Sequence, residues 1–456
     1  LTVCQNENET YGYPSMNDKA FYLETFGCQM NVVDSERIVG LLDEIGYRQV
    51  EEPEQADLIL LNTCAVRDKA VRKAYGHLGR FKPMKERKPD LILGMGGCIA
   101  QQEGKQLLEE FSYLDLVFGT HNVHRLPEMV QQVAEKHVRC EETEFLDRET
   151  RLQLFPSRTG QEAYTRFVTV MQGCDNFCSY CVVPYVRGRE ISRPSAEILE
   201  EIRELAAQGV REITLIGQNV NSYGLKEDGE LSFAGLLEQV NAVDGIDRIR
   251  FTTSHPKDLS DDLIECFGRL DKLCKHLHLP VQCGSDNILK AMNRGYTRER
   301  YLGVVERLRQ VCPEIRLSSD IIVGFPGETE ADFAETMSLL EKVRYTEIYS
   351  FIYSPRRGTT AADMADEMPA EVKQDQFNRM LELQQEISRQ TWEADVGTIQ
   401  EVLVEGESKV GAGQMFGRST WNRIVNFAGP AELAGQLVSV KITKAFRNSL
   451  LGELVE

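Results

Sequence analysis

The chain has 456 residues, 42% apolar and 27% charged, the balance of an ordinary globular protein, and that length predicts about two to four domains. No stretch approaches the roughly 20 apolar residues of a membrane span. The polar start LTVCQNENETYGYPSMNDK lacks an apolar signal core, so a cytoplasmic protein with no membrane partner is expected, its 12 cysteines serving as thiolates rather than bridges.

A formal net charge of −19 weighs against general phosphate binding. The run RDKAVRKAYGHLGRFKPMKERK is a basic island within it, with Arg67, Lys69, Arg72, Lys73, Arg80, Lys82, Lys85, Arg87 and Lys88. It reads either as a solvated helix face or as a phosphate-tracking surface.

In chain order, residues 1–18 are expected to be a flexible tail and 19–140 a first domain. AFYLETF, DLILLN, LILGMG and YLDLVFG are short apolar strands of parallel type. Ile38, Leu41, Leu42 and Ile45 recur at helical spacing between the first two, with Asp34 or Ser35 as cap. Such an order predicts an α/β fold, a small doubly wound parallel sheet with ligands beyond the strands' carboxyl ends. Cys28, Cys64 and Cys98 each follow one of these strands, which would bring all three to one sheet edge. A single cysteine in such a place is usually buried and inert. Three together, two of them beside glycine, predict a three-thiolate cluster site. The alternative is a zinc site in which His121 or His124 completes the set, although those histidines also suit a helix cap or a solvent-facing position.

Residues 141–162 are polar and charged and read as a linker. The next domain, 163–390, opens with TRFVTVM and the loop CDNFCSYC, whose Cys174, Cys178 and Cys181 have the spacing C-x3-C-x2-C. A four-iron cubane prefers four thiolates, so three leave one iron open to a substrate or cofactor. Structural zinc would need a fourth ligand that nothing nearby supplies. The triplet, with Phe177 and Tyr180 in it, resembles the radical S-adenosylmethionine (SAM) superfamily, where the open iron binds SAM and reductive cleavage yields a 5′-deoxyadenosyl radical.

Strand and helix then alternate through REITLIG, RIRFTT, HLHLPV, RLSSDIIVG and EIYSFIY, which makes six units and predicts a (β/α)6 partial barrel. Its active site belongs at the strands' carboxyl ends. The polar residues there are Gln218, Asn219, Ser254, His255 and Gln282, with Cys283 beside them and Asp320 inside its strand. Gln218, Asn219, His255, Gln282 and Asp320 are the candidate cofactor contacts, each also open to a turn-forming role. GFPGET, with Gly324 and Gly327, reads as a turn first and a cofactor cradle second. Arg187, Arg189 and Arg193 suit phosphate or carboxylate groups, or surface ion pairs. Cys4, Cys140, Cys266, Cys274, Cys283 and Cys312 fit no ligand pattern and are expected to be structural.

The last region, 391–456, carries short strands with glycine-rich turns, the pattern of a small β-barrel that either binds RNA or packs against its neighbour.

Taken together, ETFGCQMN, LNTCAVRDKA, MGGCIAQ and QGCDNFCSYCVVPYVRGREISR are similar to the methylthiotransferases of MiaB type, and KITKAFRNSLLGEL resembles their RNA-holding TRAM domain. The resemblance runs from about Ala20 to the end. It implies two [4Fe–4S] clusters: a SAM-cleaving one on Cys174, Cys178 and Cys181, and an auxiliary one on Cys28, Cys64 and Cys98 that supplies sulfur. It implies SAM as radical source and methyl donor, and methylthiolation at carbon 2 of N(6)-isopentenyladenosine at tRNA position 37. The sheet and the partial barrel would face each other across the flipped-out adenosine, and the basic run and the TRAM-like barrel would track the anticodon arm. A monomer fed by a low-potential donor such as flavodoxin or ferredoxin is expected. Gln29-Met30-Asn31 after Cys28 is as in relatives acting on isopentenylated tRNA. The rivals are the same machinery acting on threonylcarbamoyl-adenosine or on a ribosomal protein side chain, and a non-catalytic iron–sulfur RNA-binding protein.

Overall fold

The computed structural model describes residues 19–66, 68–155, 163–409, 411 and 413–455. The expected tail with Cys4, Arg67 with the Lys69 side chain, and linker residues 156–162 lie outside the described residues. The chain divides into two compact units, the first holding residues 1–161, 172–175 and 181–193 and the second 162–171, 176–180 and 194–456.

In the first unit a six-stranded, wholly parallel sheet has the order β2-β1-β3-β4-β5-β6. Its strands are β1 (Lys19–Thr25), β2 (Tyr47–Gln49), β3 (Leu58–Thr63), β4 (Ile92–Gly97), β5 (Leu116–Phe118) and β6 (Cys140–Glu142). Every residue of β3 and β4 is buried, as strands covered on both faces require. Alternate residues face opposite ways. Leu58, Leu60 and Ile92 pack with Ile38 and Leu42 of α1 (Gln29–Glu44), while Ile59, Leu61 and Leu93 pack with Ala74, Leu78 and Phe81 of α2 (Asp68–Arg87). Helices α3 (Cys98–Glu103), α4 (Lys105–Glu110) and α5 (Leu126–Lys136) complete the cover. Strand order reverses between β1 and β3, and at such a switch point doubly wound sheets bind ligands.

Two strands escape the sequence pattern. β2 and β6 span three residues each, too few for an apolar period to register. β6 and the helix α6 (Arg148–Gln153) occupy part of the stretch read as a linker, and α6 buries Arg151.

The second unit opens with β7 (Thr165–Thr169). Short strands β8 (Met171–Gln172) and β9 (Ile191–Ser192) flank the cysteine loop, and helix α7 (Val183–Arg187) follows Cys181. The loop is split: Cys174 and Cys181 go with the first unit and Cys178 with the second.

Strands β10 (Glu212–Ile216), β11 (Arg248–Phe251), β12 (His276–His278), β13 (Arg316–Val323) and β14 (Glu347–Ile352) continue the second unit. They form parallel sheets of order β11-β10-β7 and β12-β13-β14, linked by a parallel bridge between Ile249 and Leu273. Six strands in one arc make the expected partial barrel. Its helices are α8 (Ser195–Ala207), α9 (Phe233–Asn241), α10 (Asp261–Arg269), α11 (Asp286–Ala291), α12 (Arg298–Val311) and α13 (Glu330–Val343). Ser232, Ser260, Thr297 and Thr329 accept backbone N–H bonds at the starts of α9, α10, α12 and α13, which fixes where each helix begins.

Helix α14 (Ala370–Glu393) leads to a closed five-stranded barrel of order β15-β16-β17-β19-β18, made by β15 (Ile399–Glu407), β16 (Gln414–Ser419), β17 (Ile424–Ala428), β18 (Leu437–Ala445) and β19 (Leu450–Leu454). Buried arginines at the amino-terminal ends of the partial-barrel strands bolt it on. Arg248 donates to Glu401 O at 2.8 Å, and Arg250 to Ser419 O at 2.7 Å and Thr420 O at 3.1 Å. Arg316 stacks 4.3 Å from the Trp421 ring centroid. The attachment therefore uses the end of the strands opposite the expected active site.

GFPGET is a turn, with φ of +70° at Gly324 and +82° at Gly327. Glu328 closes it by accepting the Gly324 and Phe325 N–H groups. Burial pushes the Glu328 carboxyl up from 4.5 to about 7, against those two donors. A raised carboxyl pKa favours the protonated folded state, so this stabilisation is complete below about pH 4.5 and is lost as pH rises through about 7. Denaturant titrations should show that Glu328→Gln removes a loss of up to about 3 kcal/mol across that window.

Candidate functional site

The three sheet-edge cysteines are where the strand pattern put them. Cys28 precedes α1, Cys64 follows β3 and Cys98 begins α3. Thr63 pairs in register with Gly97, so the next residues, Cys64 and Cys98, leave neighbouring strands at one level. Gly27 brings the first cysteine in. A Cβ on it would lie 2.3 Å from Cys64 Cβ, and its φ of +122° suits glycine.

Two buried asparagines tie these ends together: Asn31, read from sequence only as part of the tag after Cys28, and Asn62, given no site role there. Asn31 Nδ2 donates to Asn62 Oδ1 at 3.2 Å and to Thr63 O at 3.1 Å, while Asn62 Nδ2 donates to Asn31 O at 2.8 Å. Cys28 Sγ donates to Asn31 Oδ1 at 3.3 Å. A hydrogen bond from the Cys64 thiol, with Arg187 adding to it, holds the Cys28 thiol down to about 6, while Cys64 is pushed up. Burial pushes Cys98 up, with Arg187 opposing.

Of the two readings open for Arg187, it engages a carboxylate and does so away from the surface. It is buried, and its Nη2 lies 2.6 Å from Asp34 Oδ2, which is also buried. Burial works against its charge, and Asp34 and Cys98 more than offset that, so it remains a fixed cation beside the thiols. Arg189 is exposed and pairs with Asp175 at 2.7 Å, and Arg193 is buried.

The histidines proposed to complete a zinc site are otherwise engaged. His121 Nδ1 accepts the Leu146 N–H at 3.2 Å, which leaves Nε2–H to donate to Arg187 O at 3.0 Å. His124 Nδ1 lies 3.2 Å from His121 O. Among the described residues no three His, Cys, Asp or Glu side chains converge as ligands of one ion.

In the second unit the candidate contacts collect at the expected strand ends. Asn219 follows β10 and donates to Asp258 Oδ2 at 2.8 Å. Gln218 sits beside it, half-buried. Gln282, after β12, is buried at φ +74°, its N–H bonded to Asp320 O at 2.9 Å. Thr253, after β11, has φ +72°. Non-glycine residues held there cost energy and cluster at binding sites. Asp320 lies within β13, its Oδ1 3.7 Å from His278 Nε2. His255 is buried, and its Nε2 is 4.0 Å from Cys178 Sγ. Ser254 is buried too.

Cys140, Cys266, Cys274, Cys283 and Cys312 are all buried, in keeping with a structural role. In the basic run, Lys85 pairs with Asp115 at 2.7 Å and Lys88 with Asp57 at 2.5 Å. Those two therefore serve the fold, while Arg72, Arg80, Lys82 and Arg87 are exposed.

Residues 20–119 match the uncharacterized protein family UPF0004, residues 168–340 the Radical SAM superfamily and residues 393–455 the TRAM domain. Over 437 residues the chain is 64% identical to the tRNA-2-methylthio-N(6)-dimethylallyladenosine synthase of Syntrophotalea carbinolica, covering 96% of this chain and all of the relative. It is 58% identical to the synthase of that name from Geotalea uraniireducens, covering 96% and 99%.

The chain belongs to the tRNA-2-methylthio-N(6)-dimethylallyladenosine synthase family.

The fold has wider kin. The radical S-adenosylmethionine methyltransferase TsrM from Kitasatospora setae superposes with a TM-score of 0.54 at 14% identity, over 76% of this chain and 74% of that one. Within the synthase family frame, the residues to which sequence reasoning gave no site role are Asn62 and Arg294. An asparagine and an arginine carry no such signal until the fold buries them beside cysteines.

Proposed function

We propose that this synthase-family chain methylthiolates carbon 2 of N(6)-isopentenyladenosine at tRNA position 37. The observation that carries the reading is three thiols gathered at one sheet edge in a chain 64% identical to a named synthase along its whole length. Cys28, Cys64 and Cys98 would hold an auxiliary [4Fe–4S] cluster, and Cys174, Cys178 and Cys181 the SAM-cleaving one. Three thiolates per set leave one iron of each without a protein ligand. When bound, these groups and SAM supply the electron, the 5′-deoxyadenosyl radical, the sulfur and the methyl group.

The donor sets fit. The first is soft, close-set and faced by the Arg187 cation, which offsets thiolate charge. The second lies on a loop whose Cys178 meets N–H donors. Gln218, Asn219, His255, Gln282 and Asp320 would line the SAM pocket at the strand ends. An aromatic C–H offers a protein acid or base no handle, so the cofactor must perform that step and the protein must hold an unstacked base in place.

The exposed arginines and lysine of α2 and the TRAM barrel would track the anticodon arm through its phosphates. No helix among the described residues is long and apolar enough to cross a membrane. A cytoplasmic monomer reduced by a flavodoxin or ferredoxin completes the proposal. Nucleoside analysis of tRNA from a strain lacking this protein should show loss of the 2-methylthio nucleoside, restored by the wild-type gene and not by Cys28→Ala. Its persistence in the null strain would refute the substrate.

A further inference from the structure

Arg294 follows α11 and is buried, 4% exposed, among the partial-barrel strands. Its Nη2 donates to Pro280 O at 2.7 Å and its Nε to Tyr296 Oη at 3.1 Å. Its Nη1 donates to Cys178 Sγ at 3.3 Å and to Tyr180 Oη at 3.3 Å. Among the described residues no carboxylate pairs with it. A buried charge needs an opposite charge close by, and the Arg294 donors reach the Cys178 sulfur, an anion whenever it ligates a cluster. A guanidinium is not deprotonated in proteins, so Arg294 is a fixed cation.

A second donor faces the same sulfur. His255 Nδ1 accepts the Lys257 N–H at 3.2 Å, so a neutral ring must carry its proton on Nε2, the atom 4.0 Å from Cys178 Sγ. The Asn221 side chain fixes the loop by accepting His255 N–H at 2.9 Å and donating to His255 O at 2.8 Å. The sulfur of Cys178 thus sits between a fixed cation and a neutral N–H.

We propose that Arg294 and His255 are positioning residues that act through the Cys178 sulfur, raising the reduction potential of the cluster it ligates and thereby easing the one-electron step that precedes SAM cleavage. The proposal rests on the assignment of Cys178 as a cluster ligand. Reduction adds one negative charge to the cluster in a low-dielectric site. A cation and N–H donors aimed at a ligand sulfur stabilise that charge, and hydrogen bonds to sulfur are among the terms that set cluster potentials.

The test uses the full-length protein with Cys28, Cys64 and Cys98 all changed to Ala, reconstituted with iron and sulfide under anaerobic conditions, so that one cluster is observed. Iron and sulfide are counted, and the midpoint potential is read by an EPR-monitored redox titration. Arg294→Met should disfavour reduction at least tenfold, a fall of about 59 mV for a one-electron couple. His255→Leu should shift it less in the same direction, and Arg294→Lys, which keeps the charge, should return it most of the way. An unchanged potential in a fully loaded Arg294→Met protein overturns the proposal. So does a shift in Arg294→Lys as large as that in Arg294→Met. If Arg294→Met fails to load iron, His255→Leu and Arg294→Lys decide by the same criteria. A background protein that binds no iron at all would instead refute the ligand assignment.

Discussion

A Cys64→Ala enzyme is expected to go on forming 5′-deoxyadenosine from SAM while yielding no methylthiolated tRNA, and a Cys174→Ala enzyme to form neither. The physical basis is that Cys64 and Cys178 have separate supports. Cys64 is held by contacts internal to the first unit: the Gly27 backbone, the Asn31 and Asn62 pair and the β3–β4 register. The residues around Cys178 are Arg294, His255 and Tyr296, all of the second unit. Losing one thiolate from the sheet edge therefore leaves the donors around Cys178 in place. Iron analysis should fall from about eight to about four per chain in either variant. Quantifying 5′-deoxyadenosine and 2-methylthio nucleoside in the same reaction separates the outcomes. Loss of cleavage in both variants would argue for a single shared cluster.

Arg187→Met should destabilise the first unit by roughly 3–5 kcal/mol, because it leaves the Asp34 carboxyl buried without its cation. The pair is close at 2.6 Å, with side chains 6% and 10% exposed, and the cation also faces Cys98. Asp34→Asn alone should cost a comparable amount. The Arg187→Met, Asp34→Asn double variant should cost less than the sum, since neither charge is then stranded. Thermal and urea unfolding of the four proteins complete the cycle, and strict additivity would show that the two groups do not interact. The thiols should register the change as well: without the cation nearby, the auxiliary site should bind iron more weakly.

Much of this architecture was legible from residue order. Apolar runs such as DLILLN and LILGMG, bounded by turn formers, mark strands whatever surrounds them, because burying both faces demands it. The cysteine placements followed from the same logic, since a parallel sheet brings every strand's carboxyl end to one edge. The resemblance carried by the cysteine motifs supplied the family. The short strands β2 and β6 were not legible, because three residues cannot display a period.

The charged residues were the least readable part. Arg187 and Arg189 stand two apart in VRGRE, yet one is buried against Asp34 and the other lies on the surface against Asp175. Nothing local separates them, because burial depends on which distant residues close over each side chain. Arg294 is likewise one arginine among several near Tyr296 until packing removes its water and aims it at a cysteine sulfur. The placement of the cysteines is thus legible in local spacing and in the order of the strands. The charges around them depend on desolvation, which arises only when distant segments close over a group and fix its neighbours.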